Sequence, residues 1–277
     1  MTHPAVYPVT DTTRVTHLFR DWEETMIWSC MQGVMGQVYG AGVSRNGSCE
    51  DGGDVPTSAM AAVGDFRFLA GVPTPELVRF WPEMGHSGFS ILVPRPEDSQ
   101  QWSALIEACY QDRARRVTRY ATKKQPDCFD TDRLSTLAAI MPPGFRLAPM
   151  DETLFLYCKQ TDWCRDFVSQ YDSFQQYEHH GLGVLALWDG EPVAGASSYT
   201  AYEGGIEIEV DTKQPYRRQG LATACSAALI LACLRRGWYP SWDAQNPASL
   251  SLAEKLGYHF SHAYVAYEVY HNGQNDS

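Results

Sequence analysis

The chain has 277 residues, 44% of them apolar, with 33 acidic side chains against 22 basic ones and a formal net charge of −11. The length fits two domains or one enlarged one, and the charge opposes a general role on nucleic acid or on an anionic membrane. No apolar run reaches about 18 residues, so no membrane span is expected. Met1-Thr2-His3-Pro4 has neither the charged nor the apolar region of a secretory signal, and a cytoplasmic protein is the expectation.

In chain order, residues 17–31 have helical spacing closed by Gly33, 44–54 are a polar, glycine-rich loop, and 59–69 read as two strands around Gly64-Asp65. Residues 75–80 predict a short helix with Pro75 at its start, 89–93 an apolar strand, 100–110 an amphipathic helix and 117–122 a strand. Residues 124–141 form a polar, then helical connector. Pro142-Pro143-Gly144 is the strongest boundary signal, which sets an N-terminal α/β domain over 1–141 and a second domain over 142–277. The eight cysteines make no Cys-x-x-Cys pair, so reduced structural thiols are expected, with Cys225 and Cys233 as small apolar packing on a helix.

The second half is more legible. Residues 183–188 alternate and reach Asp189-Gly190, a hairpin signal; 193–202 is the return strand, Glu203-Gly204-Gly205 a turn, and 206–212 an acidic third strand. Next comes Tyr216-Arg217-Arg218-Gln219-Gly220-Leu221-Ala222-Thr223 and an apolar helix over 221–234, closed by Gly237 with Arg235 and Arg236 in its last turn. Residues 239–242 read as a short strand. Asn246-Pro247 opens a helix ending at Lys255-Leu256-Gly257, and 259–270 is a final strand or hairpin.

A strand feeding a small-residue turn and then a helix start is a ready anion site. The first helical N–H groups have no partner within the helix, and the macrodipole is positive there. Gly220 omits the Cβ that would hold a phosphate off the backbone, Ala222 keeps the next contact small, and Arg217 and Arg218 add charge. The segment reads as a pyrophosphate cradle. A Walker loop needs Lys-Ser/Thr where Leu221-Ala222 stand, and a dinucleotide fingerprint needs three glycines where only Gly220 occurs.

Arg217-x-x-Gly220-x-Ala222 after a strand resembles the acetyl-coenzyme A loop of the GNAT N-acetyltransferases. The order strand, strand, strand, phosphate loop, helix, strand, helix, strand is similar to that family's core. Asn246 to Tyr258 is similar to its second signature, an Asn followed by a helix ending in Leu-Gly-Phe/Tyr. The resemblance covers residues 143–270. The strings Ile206-Glu207-Ile208-Glu209, Ser241-Trp242-Asp243-Ala244-Gln245-Asn246, Gly64-Asp65-Phe66 and Thr118-Arg119-Tyr120 resemble a bacterial branch with a long N-terminal extension. That branch is loosely associated with self-resistance acetylation of amine-bearing antibiotics such as zwittermicin.

The resemblance implies an α/β (α+β) fold: a mixed, mostly antiparallel sheet flanked by helices. The N-terminal half is compatible with a degenerate copy of that fold, although it lacks a counterpart of Arg217–Ala222. Acetyl-coenzyme A is the implied cofactor. Val210, Asp211, Thr212, Arg217, Arg218, Gln219, Gly220, Leu221, Ala222, Thr223, Asn246 and Ser249 are its implied contacts. The implied acceptor is an amine of a small molecule, an antibiotic or toxin among the candidates. A protein acceptor and a non-catalytic acyl-coenzyme A sensor are the alternatives. No nucleic-acid or membrane partner is expected, and a homodimer is the implied assembly. Arg113, Arg115, Arg116, Arg119, Lys123 and Lys124 read as a solvated basic face, with a contact to the adenosine 3′-phosphate or to nucleic acid as the other reading.

Acetylating an amine needs a base, because an amine with a pKa near 10 is mostly protonated at pH 7. Glu207, Glu209 and Asp211 alternate along one strand and share a face if it is regular; a bulge would change that. Glu209 is the first choice of base and Glu207 the second. A solvated sheet face is the competing role for both. The family commonly places a thiolate-protonating Tyr seven residues after the Asn, where this chain has Ala253. Tyr199, Tyr202, Tyr216, Tyr264 or solvent remain as sources of that proton, and Tyr258 reads as a core aromatic. Asn246 and Ser249 have equally good roles as N-cap and first-turn residue. No His, Cys and carboxylate spacing suggests a metal, and Gly-x-Ser-x-Gly is absent.

Overall fold

The computed structural model describes residues 6–42, 55–82 and 89–270. The polar loop expected over 44–54, with Cys49, lies outside these. The first half holds β1 (Tyr7–Pro8), a 3-10 segment at Thr12–Leu18, α1 (Thr25–Gln32), β2 (Gln37–Ala41), β3 (Ser58–Val63), β4 (Phe66–Gly71), α2 (Pro75–Arg79), β5 (Phe89–Pro94), α3 (Ser99–Tyr110) and β6 (Ala114–Thr122). The chain continues with α4 (Thr131–Ala139), β7 (Phe145–Pro149), α5 (Glu152–Lys159), α6 (Phe174–His180), β8 (Gly183–Trp188), β9 (Glu191–Tyr202) and β10 (Gly205–Thr212). It ends with α7 (Leu221–Arg235), β11 (Tyr239–Ser241), β12 (Asp243–Ala244), α8 (Pro247–Leu256) and β13 (Phe260–Tyr270).

These elements form two compact units. One runs up to Arg119 and resumes at Ala263; the other is Tyr120–His262. Pro142-Pro143-Gly144 therefore lies inside the second unit, between α4 and β7, and α4 belongs with the strands that follow it.

In the first unit, β2, β3 and β4 are antiparallel, β5 runs parallel to β4, and β13 pairs antiparallel to β5. All six residues of β3 are buried, which requires cover on both faces of the sheet. Met60, Leu69, Leu92, Trp102, Ile106 and Tyr267 are among the side chains of its core. The helix expected over 17–31 divides here. Thr12–Leu18 is 3-10, Asp21 has a left-handed φ of 61°, and Glu24 restarts the chain as α1 by accepting the Met26 N–H. A carboxylate cap at that point outweighs continuous helical spacing.

In the second unit, β7, β8, β9 and β10 form an antiparallel series and β11 adds in parallel at the β10 edge. α7 packs on β8, β9 and β10 and also against α4. Being covered on more than one side explains its composition: Leu221, Ala224, Cys225, Leu229, Ile230 and Cys233 are all buried, and the small residues admit close approach. Burying Leu229 and Ile230 is worth about 1.5–3 kcal/mol each. Gly237, with φ 71°, ends the helix as expected: its N–H bonds the Leu234 carbonyl and the Trp238 N–H bonds Cys233.

Both units follow one order: a strand, helical segments, three antiparallel strands, a helix, a strand parallel to the third, and another helix. The first unit thus repeats the topology of the second.

Candidate active site

The site begins where β10 loses a neighbour. β11 pairs with β10 at Gly205↔Tyr239, Ile206↔Pro240 and Glu207↔Ser241, and then the ladder stops. Two residues later the chain has changed partners: Asp243 and Ala244 pair with Ala121 and Tyr120. The remaining half of β10 keeps β9 on one side and opens on the other. The Lys213 N–H reaches the Val193 carbonyl on β9, whereas the Thr212 carbonyl accepts from Arg217 Nε at 2.9 Å. Backbone groups alternate in direction along a strand, so those of Val210 and Thr212 share the open side.

The second wall is α8. Asn246 caps it by accepting the Ser249 N–H at 2.9 Å, with Pro247 in the first turn. Ser249 Oγ accepts from Trp242 Nε1 at 3.1 Å, which ties the helix start to the strand end. The floor is the start of α7. Its N-cap is Gly220, in the left-handed conformation at φ 85°, and no side chain caps it. A Cβ on Gly220 would meet nothing within 4 Å. Within the protein itself, the demand for glycine at this position is conformational. Arg218 also sits at φ 61°, an uncommon backbone state for a residue with a Cβ.

These elements enclose a cleft of ≈ 350 Å³ lined by Val210, Asp211, Thr212, Tyr216, Arg217, Arg218, Gly220, Leu221, Ala222, Thr223, Trp242, Gln245, Asn246, Ala248, Ser249 and Leu252. The structure thus brings together eleven of the twelve implied coenzyme contacts. Gln219 is the exception: it is exposed, and its side chain donates to the Pro215 carbonyl at 3.5 Å. Arg217 lines the cleft yet folds back on β10, donating to Thr212 O and to Asp211 Oδ1 at 3.4 Å. At that exposure the ion pair is worth about 0–1 kcal/mol, so its role is to shape the loop.

Sequence reading missed Trp242, Gln245, Ala248 and Leu252 as lining residues. The last two had a signal: Ala248 and Leu252 are four apart on α8, the spacing of one helix face, and Ser249 borders them.

Of the three carboxylates on β10, Asp211 lines the cleft, and Glu207 and Glu209 lie outside that lining. Glu207 is 3% exposed, and its Oε1 accepts the Asp243 N–H at 2.7 Å. Glu209 is half-buried opposite Ser197 of β9. A register shift does occur beside them, between Glu207 and Ile208, where β9 carries the extra residue, Tyr199. Ala253 is fully buried and brings no polar group. Of the four tyrosines considered as proton donors, Tyr216 lines the cleft. Tyr258 is a core residue: it is 1% exposed, its hydroxyl donates to the Pro240 carbonyl at 2.5 Å, and burial pushes its phenol well above the ordinary range. The seven cysteines in the described residues are free thiols, and burial pushes those of Cys225 and Cys233 up to about 12. Among the described residues no group of three or more His, Cys, Asp or Glu is placed to hold a metal, and no helix is long and apolar enough to cross a membrane.

A family profile described as GNAT acetyltransferase matches residues 16–267. The chain belongs to the GNAT acetyltransferase family. That family uses acetyl-coenzyme A. The match covers both topological copies, so the GNAT assignment is not confined to the half that carries the cleft. An uncharacterised N-acetyltransferase of Bacillus subtilis, YdfB, is 27% identical over 178 residues, which are 63% of this chain and 64% of that protein; less than two thirds of that relative's length is therefore matched. A GCN5-related N-acetyltransferase-like protein from Streptococcus suis is 45% identical, with a TM-score of 0.82 over 94% of this chain and 98% of that one. A tandem GNAT protein from the clavulanic acid biosynthesis pathway shares the fold at 10% identity, with a TM-score of 0.55 over 98% of this chain and 100% of that one.

Proposed function

We propose that this protein transfers the acetyl group of acetyl-coenzyme A directly to a primary amine of a small molecule. One observation carries the reading: the start of α7 has no side-chain cap and opens, through a left-handed glycine, on a cleft whose other wall is the unpaired half of β10. The donors at that helix start fit a pyrophosphate, and the extended backbone of Val210 fits an amide-bearing arm. The first-turn N–H groups and the Arg218 side chain would hold the diphosphate, with Thr223 beside them. Val210, Asp211, Asn246 and Ser249 would flank the arm. Acetyl-coenzyme A would supply an activated acetyl group when bound there.

The protein's own part in the chemistry is to orient the amine and take its proton. Glu209 is the proposed base. A carboxylate is a weak base at pH 7, so its contribution rests on position and on relay through water. The proposed acceptor class, an antibiotic or toxin amine, rests on the resemblance to the bacterial branch with the N-terminal extension. The buried methyl of Ala253 favours a second reading, an acyl-coenzyme A sensor without turnover.

Release of free thiol from acetyl-coenzyme A, measured against amines, polyamines, aminoglycosides and peptides, separates the two. Transfer to one class supports the enzyme and identifies its acceptor. Micromolar coenzyme binding without transfer to any of them supports the sensor.

A further inference from the structure

Glu207 stands where the β10–β11 ladder ends, and the first unit contains an internal control for what it does there. In both units a strand adds in parallel to the third strand of an antiparallel set. In the first unit the ladder opens with the Ile91 N–H on the Asp65 carbonyl at 2.7 Å and continues to the Arg95 N–H on the Leu69 carbonyl at 2.9 Å. In the second it opens the same way, with the Tyr239 N–H on the Gly204 carbonyl at 2.8 Å. Donors in a parallel ladder come from alternate residues. The rung matching Arg95 on Leu69 would therefore be the Asp243 N–H on the Ile208 carbonyl. Instead the Asp243 N–H is held by the Glu207 carboxylate at 2.7 Å. In register, Glu207 opposes Ser241 as Phe68 opposes Val93, so the first unit has a phenyl ring where the second has an acceptor.

We propose that Glu207 is a positioning residue: by taking the Asp243 N–H it stops the ladder one rung early and holds the coenzyme cleft open. A buried N–H must find an acceptor. Given the Glu207 carboxylate it leaves the Ile208 carbonyl, and the chain turns away to pair with Tyr120 and Ala121. With an apolar side chain at 207 the acceptor that the parallel register offers is the Ile208 carbonyl. Taking it would draw residues 242–243 toward β10 and narrow the cleft at Val210 and Trp242. This inference rests on the coenzyme reading above and assigns Glu207 a role apart from proton transfer.

The test compares acetyl-coenzyme A binding by calorimetry in the full chain. Wild-type protein must bind; if it does not, the coenzyme reading fails, whatever Glu207 does. Glu207→Met keeps the length of the side chain and removes the acceptor, and should weaken binding about tenfold or more. Glu207→Gln retains an acceptor and should recover most of that loss. The decisive variant is Glu207→Met combined with Asp243→Pro. Proline removes the N–H, so the extra rung cannot form, and proline is tolerated at the first residue of a strand. The double variant should bind more tightly than Glu207→Met alone. Wild-type affinity in Glu207→Met, or a double variant as weak as the single one, overturns the proposal. So does a Glu207→Gln protein that binds normally but has lost turnover, which would make Glu207 the base. If Glu207→Met does not fold, amide hydrogen exchange on wild-type protein decides: a protected Asp243 N–H with a Val210 N–H protected only by coenzyme supports the wedge, and a Val210 N–H already protected without coenzyme overturns it.

Discussion

The two units carry one topology and treat the turn after their third strand in opposite ways. In the first unit Thr74 caps α2 by accepting the Leu77 N–H, Pro75 occupies the first turn, and the helix lasts five residues. Thr74 also donates to Glu76 at 2.8 Å. The Leu77 N–H is thus used locally, and a carboxylate stands beside it, which disfavours an anion there. In the second unit the corresponding helix is fifteen residues long, starts at an uncapped glycine with Leu221-Ala222 where the first has Pro75-Glu76, and has Arg217 and Arg218 just ahead of it. Likewise the parallel ladder spans four register pairs in the first unit and three in the second. The second unit leaves both features incomplete, and the first unit completes them.

That contrast can be broken most severely at the proposed base. Glu209→Gln should lower kcat by about 10²- to 10⁴-fold, the usual range for a lost general base, with acetyl-coenzyme A affinity preserved. Steady-state kinetics beside calorimetry checks it, and a kcat within twofold of wild type would remove Glu209 from the mechanism.

Alkaline pH separates the units next. In the second unit burial raises the phenols of Tyr171, Tyr177 and Tyr258, all fully buried. In the first, burial raises Tyr39, Tyr110 and Tyr267 less strongly, although Tyr110 and Tyr267 are buried as well. A phenol whose folded pKa lies above its unfolded value near 10 is held neutral by the fold. Its stabilisation is complete below that pH and is lost above it, at about 1.4 kcal/mol per pH unit for each group. Hydrogen exchange followed by segment above pH 10 should show residues 120–262 opening before the first unit. The reverse order would contradict this account.

Gly220→Val has a smaller, two-sided effect. A β-branched residue at φ 85° should cost about 1–2 kcal/mol of stability, since nothing crowds the new side chain, and should weaken coenzyme binding by about tenfold. A thermal melt with calorimetry reads both. The smallest change belongs to the capped copy: Thr74→Ala should cost about 1 kcal/mol and leave coenzyme binding as it was. Weaker binding in that variant would mean that the first unit takes part in the site.

Much of the second unit was legible because its signals are local. Asp189-Gly190 marks a hairpin by its need for positive φ, and both residues have it, at 49° and 85°. Asn246-Pro247 and Gly257 bracket α8 by capping alone. Arg217–Thr223 was legible as an uncapped helix start after a strand because that is a property of adjacent residues. The first unit was legible as elements, such as the pair of strands around Gly64-Asp65, but not as a copy. It lacks a counterpart of Arg217–Ala222, and the register of β2, β3, β4 and β5 exposes the kinship. The division near Pro142 failed to match the compact units because α4 packs on α7, and composition carries no record of which helix a connector will cover.

By itself, then, the sequence determined the order of elements in the second unit, the uncapped turn before α7 and most of the cleft lining, all of which depend on neighbours within a few residues. Tertiary structure alone decided that Gln219 turns away, that Ala248 and Leu252 face the cleft, and that Glu207 meets a backbone N–H 36 residues further along the chain. Each of those depends on how strands share hydrogen-bond partners across the sheet. Period and capping rules describe a strand's own residues and do not specify when its neighbour will leave it.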